Sequence, residues 1–120
     1  KEFLNAAMAG SVLVAVADGN VSSEEKQKMI RFIKANKALQ VFDSKKVIET
    51  FNQYLDVVEF DMDAGRAECF DALAKLKGKE DQARLVVRMV VAIGESDGDF
   101  DQDERRVVEE ISKEMNVTFQ

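Results

Sequence analysis

The sequence contains no histidine, no proline and no tryptophan, and a single cysteine, Cys69. Without histidine, the usual general base and the commonest transition-metal ligand are missing. With one cysteine, no intramolecular disulfide can form, which fits a reducing compartment. Cys69 lies within an apolar helical pattern and is expected in the core rather than as a reactive thiol. No Cys-x-x-Cys pair and no phosphate-cradling glycine loop occurs. Thiol redox chemistry and nucleotide-driven chemistry therefore lack their usual parts, and the chain is not expected to be an enzyme. Long apolar runs are missing too. The longest uncharged stretch, FLNAAMAGSVLVAVA at residues 3–17, is shorter than the roughly 20 residues a spanning helix needs. It contains Asn5 and Ser11 and lacks the basic start of a signal peptide. It reads as a buried core helix, and direct membrane insertion is not expected. Positive charge is also scarce: 17 Lys and Arg stand against 23 Asp and Glu, for a net charge of -6. That disfavours nucleic acid, whose binding rests on phosphate neutralisation, and leaves cations and basic partners.

What is present points to helices. The 120 residues are 46% apolar, enough for one domain, residues 1–120, with its own core. The absence of proline permits long uninterrupted helices. Apolar residues recur at three- and four-residue spacing throughout. The pattern predicts an all-α bundle of about six helices. The first covers about 3–17. The second opens after Ser22 and runs to about 36, carrying Met29, Ile30, Phe32 and Ile33. The third follows Asp43, with Val47, Ile48, Phe51, Tyr54, Leu55 and Val58. The fourth covers about 62–76, with Cys69, Phe70, Leu73 and Leu76 inward and Gly78 past its end. The fifth covers about 80–94, with Leu85, Val86, Met89, Val90 and Ile93. The sixth opens after Asp101, with Val107, Val108, Ile111 and Met115.

The chain repeats itself. VAVADGNVSSEEKQKMIRFI at 14–33 aligns with IGESDGDFDQDERRVVEEIS at 93–112, an offset of 79 residues. Asp18 meets Asp97, Gly19 meets Gly98, Val21 meets Phe100 and Glu25 meets Glu104. Helix, acidic loop, helix thus occurs twice, which predicts a pseudo-twofold pair of hairpins with their apolar first helices at the centre.

The shared pattern, D-G-x-apolar-x-x-x-E, has the spacing of the second half of an EF-hand calcium loop. Glycine permits the sharp turn. Asp18 and Asp97 offer hard oxygens, Asn20 and Asp99 offer backbone carbonyls, and Asp101 adds a carboxylate in the second copy. Glu25 and Glu104 stand in the first turn of the exiting helix. The first half of an EF-hand loop is missing, because Val14, Val16 and Ile93 occupy ligand positions without a side-chain oxygen. Each half loop alone supplies fewer oxygens than the six to eight that calcium prefers.

A structural reading stands beside this one. Ser22-x-x-Glu25 and Asp101-x-x-Glu104 fit capping boxes, and acidic residues suit a helix start. Yet six carboxylates fall between Glu95 and Glu104, more than a cap needs. Candidate metal ligands are therefore Asp97, Asp99, Asp101 and Glu104, with Asp18, Asn20 and Glu25. Oxygen donors select hard cations: Ca²⁺ first, then Mg²⁺ or Mn²⁺.

ADGNVSSEEKQKMI paired with ESDGDFDQDE, near opposite ends of an all-helical domain, resembles the tellurite-resistance protein B (TerB) family along essentially the whole chain. The resemblance implies a helical domain with pseudo-symmetric halves, an acidic surface and calcium binding. It places the family's acidic positions on Asp18, Glu25, Asp97, Asp99 and Glu104. It also implies a bacterial cytoplasmic setting, peripheral to the inner membrane through a partner. The partners it implies are other tellurite-resistance proteins, among them a membrane protein. The function expected is a calcium-binding interaction module in a stress-response complex. The alternative is a metal-independent acidic adaptor, whose partner binding salt weakens and calcium leaves alone.

Overall fold

In the computed structural model the described residues are 2–17, 23–95 and 101–117, apart from the side chains of residues 24, 25, 28 and 38. They form six α-helices: α1 (Glu2–Ala15), α2 (Ser23–Ala35), α3 (Ser44–Phe60), α4 (Met62–Ala74), α5 (Glu80–Glu95) and α6 (Gln102–Glu114). A short 3₁₀ turn, Lys37–Leu39, follows α2. This is the all-α bundle that the apolar spacing predicts. No helix among the described residues is long and apolar enough to cross a membrane.

α1 is the centre. Leu4 and every residue from Ala6 to Val14 are buried, so the helix is covered on all sides rather than along one stripe. α3, α4 and α5 flank it, and α6 touches it as well. Small residues make that crowding possible. A Cβ on Gly10 would lie 3.0 Å from Val90 Cγ1, which places α1 hard against α5. Ser11 is fully buried, and its hydroxyl donates to the Ala7 carbonyl one turn back at 2.8 Å. The buried polar group is thereby satisfied within its own helix. α1 does pack on α5, as the repeat predicts, but it packs as closely on α3 and α4, and α5 keeps an exposed face, so α1 alone is central. The second helices of the two hairpins find different neighbours: α6 packs on α5, α4 and α1, whereas α2 packs chiefly on α3 and the 3₁₀ turn.

The α3–α4 junction is tight. Asp61 alone separates the two helices, ending α3 through its N–H to the Val57 carbonyl at 2.9 Å. It also starts α4, its Oδ1 accepting from the Ala64 N–H at 3.2 Å, as an N-cap does. A Cβ on Gly65 would lie 2.4 Å from Val58 Cα, so only glycine lets α4 approach the α3 backbone this closely. α4 ends at Ala74, two residues earlier than the pattern predicts, and Gly78 takes a positive φ of 84° in the turn that follows.

Most predicted core positions are buried, including Phe51, Leu55, Val58, Cys69, Leu73, Leu76, Val86, Met89, Val90, Ile93, Val107, Val108, Ile111 and Met115. Leu85 is a correction. It is 42% exposed, because the buried face of α5 follows Ala83, Val86, Val87 and Val90 and Leu85 lies off that arc. Phe70 is half-buried, its ring stacked beneath Arg66 with the guanidinium carbon 5.4 Å from the centroid.

Candidate cation site at the acidic turns

Of the seven residues singled out as ligands, the described structure places the side chains of two. Asp18, Asn20, Asp97 and Asp99 lie outside the described residues. Glu25 belongs to α2, and its side chain lies outside them.

Asp101 and Glu104 are brought together at the start of α6. Asp101 is the N-cap, with φ -76° and ψ 177°. Its Oδ1 accepts the Glu104 N–H at 2.8 Å, and Glu104 Oε1 accepts the Asp101 N–H at 3.1 Å. This is a reciprocal capping box, in which two backbone donors that the helix leaves orphaned are satisfied by two carboxylates. The structural reading of Asp101-x-x-Glu104 is thus realised. Each carboxylate retains more acceptor capacity than one cap bond consumes. Asp103, next along, and Glu95, at the end of α5, are both exposed. Among the described residues, no group of three or more His, Cys, Asp or Glu side chains is arranged to hold a metal ion.

Cys69 is fully buried, and burial pushes its thiol up to about 12. Thiolate character, which nucleophilic and redox cysteines need, is therefore suppressed at this position.

One cleft escaped the sequence reading. It encloses about 260 Å³ between α1, α3 and α4, lined by Asn5, Gln53, Tyr54, Glu68, Asp71 and Lys75 among others. Tyr54 is buried where the apolar stripe of α3 places it, and it also lines this cleft. Burial, with Cys69 and Glu68 adding, raises its phenol above the ordinary value. The cleft's side chains can hydrogen-bond a small polar molecule. Its residues stand at positions 5, 53–54 and 68–75, so no local spacing announces it.

The profile of the family described as tellurite resistance protein TerB matches residues 4–119. A curated relative from an Alcaligenes species, a tellurium resistance protein TerB, is 39% identical over 89 residues, covering 74% of this chain and 73% of the relative. No solved structure matches the chain. With its family profile matched from the first helix to the last few residues, the chain belongs to the tellurite resistance protein TerB family.

Proposed function

We propose that this TerB-family chain binds a hard divalent cation, calcium before magnesium or manganese, at the acidic turn that leads into α6. In this reading it acts as an interaction module in a bacterial tellurite-resistance complex. One observation carries the proposal. Six carboxylates lie between Glu95 and Glu104, and the α6 cap uses only Asp101 and Glu104. The other four add repulsion that a cap does not require and a cation offsets. The turn before α2, with Asp18, Asn20 and Glu25, is the second and weaker candidate, because Asn20 stands where the other copy has Asp99. Binding at such a partial loop is expected to be weak, on the order of 10⁻⁵ to 10⁻³ M. The ion would hold α5 and α6 in a fixed relation and so stiffen a face for other tellurite-resistance proteins.

The test is a thermal melt of chelator-treated protein with and without millimolar calcium. At a calcium concentration ten times Kd the gain is about 1.4 kcal/mol, a rise of a few degrees for a chain of this size. Amide shifts are expected between Asp97 and Glu104, and Asp97→Asn with Asp99→Asn should abolish the rise. A midpoint indifferent to calcium removes the proposal.

The capping box itself favours a second reading, a metal-independent acidic adaptor. There, salt weakens partner binding and calcium has no effect beyond its ionic strength.

A further inference from the structure

Phe60, the last residue of α3, is 93% exposed, and Met62, the first of α4, is 39% exposed. An aromatic ring left in water forgoes roughly 1.5–3 kcal/mol of burial. Chain flexibility does not account for it. Asp61 caps both helices, the Gly65 N–H donates to the Asp61 carbonyl at 2.8 Å, and Gly65 is locked against Val58. The corner is rigid, and it presents the ring outward.

The surroundings of the ring carry one sign of charge. Asp56 stands one turn before Phe60 on the same helix face. Glu59, Asp61 and Asp63 complete the rim, and all four carboxylates are exposed. None of them makes an ion pair among the described residues. No lysine or arginine occurs between Lys46 and Arg66. Arg66, the next cation, is engaged elsewhere, 3.5 Å from Glu110 and over the Phe70 ring.

We infer that the α3–α4 corner is a docking site for a cationic amphipathic segment of a partner protein, in which an apolar side chain packs on Phe60 and Met62 between lysines or arginines that meet Asp56, Glu59, Asp61 and Asp63. A preformed aromatic anchor inside a polar rim is the usual anatomy of an interface hot spot. The charge selects the occupant. Two copies of this chain meeting here about a twofold axis would press acidic rim against acidic rim. Anionic lipid headgroups and nucleic-acid phosphates are repelled for the same reason. The site is separate from the acidic turns at the hairpin bends and needs no metal.

The test uses the whole chain, with chelator present throughout, and a short synthetic Leu/Lys peptide with leucines at helical spacing. Binding is read by fluorescence polarisation and by amide shifts. Phe60→Ser should weaken binding at least about tenfold and leave the melting midpoint unchanged, since the ring supports no core. Asp56→Asn with Glu59→Gln and Asp63→Asn should flatten the salt dependence of binding. A peptide of equal charge with serine in place of leucine should bind at least about tenfold more weakly. Shifts should cluster at residues 56–66. Undiminished binding by Phe60→Ser overturns the inference, as do shifts centred on 95–104 instead. A marked fall in the Phe60→Ser midpoint would show that the ring is covered by its own chain. Self-association of the parent chain abolished by Phe60→Ser would give the site to a second copy. Either result also overturns the inference.

Discussion

Asp101 and Glu104 close the start of α6 between them, each carboxylate accepting the other's backbone N–H, at 2.8 and 3.1 Å. The geometry separates two roles that the same residues could play. Capping needs an acceptor oxygen, which an amide also supplies. Holding a hard cation benefits from the negative charge, which an amide lacks. Asp101→Asn with Glu104→Gln is therefore expected to keep the metal-free midpoint of the parent while losing most of any calcium-induced rise. Asp101→Ala, by contrast, should cost about 1 kcal/mol without metal. Urea titrations with and without calcium distinguish the two. If the amide variant gains as much from calcium as the parent does, neither carboxylate is a ligand.

The α3–α4 crossing makes a second expectation quantitative. A Cβ at position 65 would meet the Val58 backbone at 2.4 Å from Cα and 2.6 Å from N. Backbone cannot rotate away as a side chain can, so Gly65→Ala must push α4 off α3. The cost should reach about 3 kcal/mol or more, the upper end for overpacking. Gly10→Ala meets side chains only, crowding Val90 Cγ1 at 3.0 Å and touching Val86 and Leu73 at ordinary contact distance. It should cost less, about 1 kcal/mol, because alanine's better helix propensity offsets part of the clash. Chemical denaturation of the two variants ranks them, and the reverse order would contradict the crossing described here.

Much of this fold was legible because every helix but one has a single buried face. Where one stripe faces inward, as in α6 with Val107, Val108, Ile111 and Met115, the apolar spacing reports it directly. α1 carries no such stripe because it is buried all round, and its near-total lack of charge gave it away instead. Ends were less legible. α4 stops at Ala74 although Leu76 is buried, since the turn that follows tucks Leu76 inward without continuing the helix. The acidic turns were found as a repeat, but only their entry into α6 has described side chains, and those serve the cap. The Phe60 corner was passed over because the sequence reading followed the inward stripe of α3, which ends at Val58. Two residues beyond buried Val58 is over half a turn around the helix, on the side of exposed Asp56. A residue's angle from its buried neighbours was the available signal, and hydrophobicity alone concealed it.

Cys69 gives a prediction in the alkaline range. Burial pushes its thiol from an ordinary 9.0 up to about 12 in the folded chain. Below 9 the thiol is protonated in both the folded and unfolded states and adds no pH dependence. Between those values the unfolded chain releases the proton and the folded chain keeps it. The unfolded state then binds fewer protons, so stability falls as pH rises, by at most about 1.4 kcal/mol per pH unit. The measurement is a difference between the parent and Cys69→Ala, which isolates the thiol from every other group. The alanine variant starts less stable because of the cavity it leaves, and its deficit should shrink steadily above pH 9. The same burial predicts that iodoacetamide leaves Cys69 unmodified in the native chain and alkylates it readily in denaturant. Equal labelling rates in the two conditions, together with a deficit that stays constant with pH, would place the thiol at the surface and break the packing of α4 described above.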